Sequence, residues 1–228
     1  GEGTYCDGTS INIISSGGLT YQWSGPSSFT SASASFTLPN VDYTHEGYFV
    51  NIATNGDGCT TKDSLEIVIS KAVVSLSSNT PICIGQSIVL NGSGGNTYAW
   101  TGPAAYTSIL QNPIISNANT SRTGYYALQV TNTNGCQDKD SIYVKVNVLP
   151  TVTASSNSPV CTAATLTLSS SGGTTYYWTG PNGFASILQN PTISNITSSF
   201  AGTFNVTVTD SNGCIATAST AVVVNSLP

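Results

Sequence analysis

Tyr176-Tyr177-Trp178-Thr179-Gly180-Pro181 is the stretch that decides the fold of this chain. In an extended backbone Tyr176 and Trp178 share one face and Tyr177 takes the other, the period-two alternation of a half-buried strand. Gly180-Pro181 then closes the strand with a turn. The stretch has counterparts upstream, as Tyr98-Ala99-Trp100-Thr101-Gly102-Pro103 and as Trp23-Ser24-Gly25-Pro26.

Outward from each tryptophan the same landmarks recur. A cysteine lies 17 positions before it (Cys6, Cys83, Cys161) and another 36 positions after it (Cys59, Cys136, Cys214). A glycine follows each tryptophan by 24 positions (Gly47, Gly124, Gly202), with an aromatic residue close behind. Ile109-Leu110-Gln111-Asn112-Pro113 returns as Ile187-Leu188-Gln189-Asn190-Pro191, and has drifted to Ala32-Ser33-Ala34-Ser35-Phe36 in the first copy. The period is 77 and then 78 residues, which suits a small sandwich better than a short solenoid unit. Ser87-Ile88-Val89-Leu90 and Thr165-Leu166-Thr167-Leu168 read as short strands, and Tyr125 to Thr131 and Thr203 to Thr209 as longer ones. Asn134-Gly135 and Asn212-Gly213 turn the chain into a last strand. The expected fold is all-β: tandem immunoglobulin-like β-sandwich repeats over residues 1–71, 72–149 and 150–228.

Gly1 aligns with Ser78, so the first copy begins after the first strand of the other two. With its Gly1-Glu2-Gly3 opening, which has neither Met nor a signal peptide, the chain reads as a piece excised from a longer array.

Composition narrows the function. Charged residues make up 7% of the chain, five basic against ten acidic, for a net charge of -5. Lys62, Lys71, Arg122, Lys139 and Lys145 do not cluster, so nucleic acid is not an expected partner. No apolar run approaches the ~20 residues that cross a bilayer, so no membrane insertion is expected. No HExxH, GxSxG, phosphate loop or calcium loop is present. No enzyme, cofactor or metal site is expected. His45 beside Glu46 is the one candidate base, but Arg122 and Phe200 replace it in the other copies, which favours an ordinary loop residue.

Each landmark has an expected role. Trp23, Trp100 and Trp178 fill the cores between the sheets. Phe29, Tyr106 and Phe184, after the Gly-Pro turns, are the candidates for exposed aromatics that could grip a ligand such as a surface glycan. Six cysteines and no CxxC point to disulfides and an oxidising compartment. Pairing within each copy is the default: Cys6–Cys59, Cys83–Cys136 and Cys161–Cys214. One geometric fact opposes it, because in standard topology these points lie at opposite ends of a sandwich, beyond the ~6 Å Cα separation of a disulfide. Either the first strand bends, or bridges join neighbouring copies as Cys6–Cys136 and Cys83–Cys214. Pairing within each copy is the expected scheme.

The run Cys161…Thr165-Leu166-Thr167-Leu168…Tyr176-Tyr177-Trp178, Gly202-Thr203-Phe204-Asn205-Val206 and Asn212-Gly213-Cys214 resembles the Ig-like and PKD-like repeats of large Bacteroidota surface adhesins. The resemblance extends over all three copies. The PKD motif Trp-Asp-Phe-Gly-Asp-Gly is replaced here by Trp-Thr-Gly-Pro, which favours the Ig-like label. The resemblance implies export by type IX secretion to the cell surface, and a stalk that holds an adhesive tip. It also implies O-glycosylation in Asp-Ser-Leu and Asp-Ser-Ile contexts, which makes Ser64 and Ser141 candidates. Three sandwiches in line, each ~30 Å long, would span roughly 90–100 Å. The expected partners are the neighbouring repeats, with other copies in a fibre as an alternative.

Overall fold

The alternation of apolar and polar residues persists through the strands of the computed structural model, which describes residues 3–228. Gly1-Glu2, read above as the start of an excised piece, lies outside the described residues. Along Gly202–Thr209 the buried side chains are Phe204, Val206 and Val208. Gly47–Thr54 repeats the pattern with Phe49, Asn51 and Ala53 inside. Each large apolar side chain so buried stabilises by about 1.5–3 kcal/mol. Helical structure among the described residues is confined to single 3-10 turns such as Tyr43–His45 and Thr120–Arg122. The protein is all-β.

The third repeat packs two sheets around Leu166, Leu168, Trp178, Ile196, Phe204 and Val206. One sheet orders Ala185–Ser186, Thr175–Thr179, Gly202–Thr209 and Ile215–Val222; the other orders Thr153–Ser156, Leu166–Ser171 and Thr192–Ile193. The first repeat closes similarly around Ile11, Trp23, Leu38, Phe49 and Ile67. Its larger sheet holds Phe29–Ser31, Thr20–Gly25, Gly47–Thr54 and Thr60–Ser70, and Ile11–Ile14 pairs with Ser35–Leu38 in the other. The middle repeat has the same four-stranded sheet, from Tyr106–Ser108, Thr97–Gly102, Gly124–Thr131 and Gln137–Val144. These are immunoglobulin-like sandwiches. In each, a short segment that ends on the first cysteine runs parallel to the end of the repeat: Gly3–Cys6 with 67–70, Ile82–Cys83 with Val146–Asn147, and Val160–Cys161 with Val224–Asn225.

Two recurring motifs acquire physical reasons. A Cβ on Gly180 would sit 2.4 Å from the Phe204 ring, and one on Gly102 would sit 2.5 Å from Tyr126, so the Trp-x-Gly-Pro glycine lets that ring reach the backbone. In Gln111-Asn112-Pro113 and Gln189-Asn190-Pro191 the side chains replace strand hydrogen bonds. Gln189 Nε2 donates to the Ser170 carbonyl (2.8 Å), Asn190 Oδ1 accepts from the Ser170 amide (3.1 Å), and the Gln189 carbonyl accepts from Trp178 Nε1 (3.2 Å). Gln111 makes the corresponding bonds to Gly92 and Trp100. The first repeat lacks Gln and Asn there; Phe36 packs edge-on to Trp23 instead, and Trp23 Nε1 has no partner.

Two compact units divide the chain differently from its repeats. The first takes in the first repeat with Leu90–Pro113 and Tyr125–Ile142; the second takes in Ser78–Val89, Ile114–Gly124 and Tyr143–Pro228.

Candidate functional site

The cysteines correct the expected pairing. Cys6 is bonded to Cys136 (Cα–Cα 5.3 Å) and Cys83 to Cys214 (Cα–Cα 5.6 Å), each bridge within one compact unit, while Cys59 and Cys161 are free and exposed. Cys6–Cys59, Cys83–Cys136 and Cys161–Cys214 do not form. The parallel segments supply the reason. Cys6 lies beside Ser70, Cys83 beside Asn147 and Cys161 beside Asn225, so each first cysteine sits where the chain leaves its own repeat. Each second cysteine sits at the other end of the same last strand, eleven positions earlier. Eleven residues of strand span roughly 36 Å at ~3.3 Å each, far outside the reach of a disulfide. The exit of one repeat therefore meets the second-cysteine turn of the next.

That turn is built alike three times. Asn132 Oδ1 accepts from the amides of Asn134 and Cys136, both at 3.0 Å. Asn55 receives Asp57 and Cys59, and Asp210 receives Asn212 and Cys214, in the same way. A glycine in the left-handed region precedes each cysteine: Gly58, Gly135 and Gly213. The Asx residue aims the cysteine, and its signal in the sequence is an Asn or Asp four positions before each second cysteine.

In the third repeat this residue is ionisable. The Cys214 amide, foremost, and then Asn212 hold the Asp210 carboxyl below its ordinary 3.8. A carboxyl depressed in the folded state stabilises above its unfolded value and loses that stabilisation as pH falls through its folded one. Stability should therefore drop on acidification below 3.8, in part through Asp210. Asp210→Asn, the residue type of the other two turns, should keep the fold and remove that part of the drop. Denaturant midpoints at a series of pH values check this; parallel curves for the two proteins would contradict it.

Polar contacts flank the Cys6–Cys136 bridge. Lys71 Nζ reaches Asp7 at 3.0 Å, and the hydrogen bond and charge of that carboxylate raise the lysine pKa. Asp138 Oδ2 accepts from the Val74 amide (2.8 Å), and Asn132 and Asn134 both donate to Ser70 Oγ (2.9 Å).

A second feature lies in the first repeat. Among the described residues Ile11–Ile14 is paired on one side only, whereas its third-repeat counterpart Leu166–Ser171 also pairs with Thr153–Ser156. A cleft of about 300 Å³ opens there, lined by Ile14, Ser15, Trp23, Asn51, Ser64 and Leu65. Asn51 stands where the other copies have Leu128 and Val206; its Nδ2 donates to Ser15 Oγ at 2.6 Å and its buried Oδ1 has no partner.

The remaining candidates are placed as follows. Trp23, Trp100 and Trp178 are 4%, 1% and 0% exposed. Phe29, Tyr106 and Phe184 are half-buried and set edge-on against Phe49, Tyr126 and Phe204, at 5.4, 5.7 and 5.4 Å between ring centres. They seal cores, so the expectation of exposed ligand-gripping rings is corrected. Ser64 and Ser141 are exposed, each donating its amide to the preceding Asp carboxylate. His45 is absorbed in a turn: the Thr44 hydroxyl (2.5 Å), and then His45 Nδ1 (2.9 Å), hold the Asp42 carboxyl below its ordinary value. No group of three potential metal ligands occurs among the described residues, and no helix there is long and apolar enough to cross a membrane.

Residues 70–150, a stretch that takes in the middle repeat, match the family model of the "Ig-like domain CHU_C associated". No curated protein matches the chain. Among solved structures, the three N-terminal domains of the highly immunogenic outer capsid protein of bacteriophage RB49 align at a TM-score of 0.47 and 11% identity, over 97% of this chain and 96% of that one. The ectodomain of mouse nectin-like molecule 4 aligns at a TM-score of 0.39 and 13% identity, over 98% and 96%.

Proposed function

We propose that the chain is a spacer segment of a repetitive extracellular adhesin, in which modules 1–71, 72–149 and 150–228 hold a binding tip away from a bacterial surface reached by type IX secretion. The observation that carries this reading is the pair of bridges Cys6–Cys136 and Cys83–Cys214, each tying the exit of one repeat to a turn of the next. A cross-link at every junction restricts bending and shields the connecting segment from proteases, which a spacer needs. Disulfides of this kind persist outside the reducing cytosol. A low-charge surface of Ser, Thr and Asn suits a stalk, and Ser64 and Ser141 would carry its glycans.

Deletion of residues 72–149 tests the arrangement. It removes Cys83 and Cys136 and keeps the repeat register, so the exit of the first repeat meets the turn of the third. Non-reducing peptide mapping should find a new Cys6–Cys214 bridge, and X-ray scattering should show a maximum dimension shorter by about a third, as one of three equal modules along a line requires. The same mass spectra, taken on protein from its native host, should show sugar on Ser64 and Ser141. Cys6–Cys59 and Cys161–Cys214 bridges, or an unchanged dimension, would overturn the spacer.

The open side of Ile11–Ile14 favours a second reading, a filament or sheath subunit that takes a strand from another chain across the cleft. Light scattering of the Cys59→Ser, Cys161→Ser double variant separates the two, since this subunit would polymerise on concentration through its open strand edge and a spacer without those thiols would stay monomeric.

A further inference from the structure

Cys59 and Cys161 are the free cysteines of a chain whose other four are paired. Each has two counterparts at the same position of the repeat, and all four counterparts are bonded. Cys59 corresponds to Cys136 and Cys214, and Asn55 aims it just as Asn132 and Asp210 aim those two. Cys161 corresponds to Cys6 and Cys83, beside Asn225 as they are beside Ser70 and Asn147. The two thiols also differ in kind: one belongs to the turn half of a junction and the other to the exit half.

We infer that Cys59 and Cys161 are complementary halves of the same inter-repeat bridge, and that the partner of each is a second copy of this repeat, joined head to tail. Cys59 accepts an exit cysteine and Cys161 accepts a turn cysteine. Two copies of this chain therefore join as Cys161 of one to Cys59 of the next, repeating the Cys83–Cys214 junction between molecules. The inference rests on the spacer reading for its junction geometry and extends it to a junction between two copies of the repeat.

The chemistry balances with a small disulfide such as oxidised glutathione. One protein thiolate attacks it, forming a mixed disulfide and releasing one glutathione thiolate. The second protein thiolate then attacks the mixed disulfide and releases the other glutathione. Two protein thiols lose two protons and two electrons, and one glutathione disulfide becomes two thiols.

The test uses the full chain as two variants, Cys59→Ser and Cys161→Ser, each keeping both existing bridges. In a glutathione redox buffer each variant alone should remain largely monomeric, since turn–turn and exit–exit pairs do not fit. An equimolar mixture should give a dimer linked Cys59–Cys161, at about tenfold or more above either variant alone, the selectivity that ~1.4 kcal/mol of complementarity supplies. Equal dimer from a single variant, or none from the mixture, would overturn the inference. The Cys6–Cys214 bridge expected in the deletion chain needs no second molecule, so the two failures are distinguishable.

Discussion

Cys136→Ser is expected to lower the unfolding free energy by up to about 5 kcal/mol, where Cys59→Ser should change it by no more than about 0.5. The two positions share a turn, a hydrogen-bond pattern and a place in the repeat, and differ in whether a bridge exists. The Cys6–Cys136 link closes a sequence separation of 130 residues. In the chain-entropy model, opening a loop of that length returns about 5 kcal/mol of freedom to the unfolded chain. Cys136 is also only 2% exposed, so serine leaves a buried hydroxyl that adds to the loss; Cys136→Ala separates the two effects. Because each bridge joins consecutive repeats, its removal should also split one cooperative unfolding transition into two. Calorimetry of the intact chain and the three variants reads both effects. Equal midpoints for Cys136→Ser and Cys59→Ser would show that the bridge contributes nothing to stability.

The strands and the core were legible because their physics is local. Trp178 at period two from Tyr176, and the Asn212-Gly213 turn, each fall within a few residues, and strands Thr175–Thr179 and Gly202–Thr209 follow them. The disulfide pattern was not legible as a pairing, although its spacing was. A spacing of 53 residues between cysteines says how far apart they lie along the chain and nothing of which end of a strand each occupies. What decides it is the parallel seating of Cys161 beside Asn225, a contact across 64 residues that leaves no periodic trace. The standard geometry of the fold places the two cysteines of a copy at opposite ends, which opposes pairing within a copy and agrees with the bridges that form. Phe184 misled for a related reason. A ring after a Gly-Pro turn looks exposed along the chain, but the missing Cβ of Gly180 draws the core up to the turn, and Phe184 closes over Phe204.

Truncating Trp178 to alanine should cost about 3–5 kcal/mol, and the same change at Trp23 distinctly less, although both fill the same position of the repeat. Trp178 is fully enclosed, and its Nε1 donates to the carbonyl of Gln189, whose side chain in turn holds the Ser170 carbonyl. Alanine there leaves a closed cavity and strands the Gln189 carbonyl. Trp23 already borders the cleft beside Ile11–Ile14, its Nε1 bonds to nothing, and water can fill the space its ring would leave. Gln189→Ala separates the terms in the third repeat: it leaves the indole packed but takes a partner from the Ser170 carbonyl, at a cost of about 1–3 kcal/mol. Urea unfolding with the tryptophan fluorescence of the remaining repeats reports each change. A loss at Trp23→Ala equal to that at Trp178→Ala would mean that the first repeat is as tightly closed as the third, and the cleft would then cease to support a strand-accepting edge.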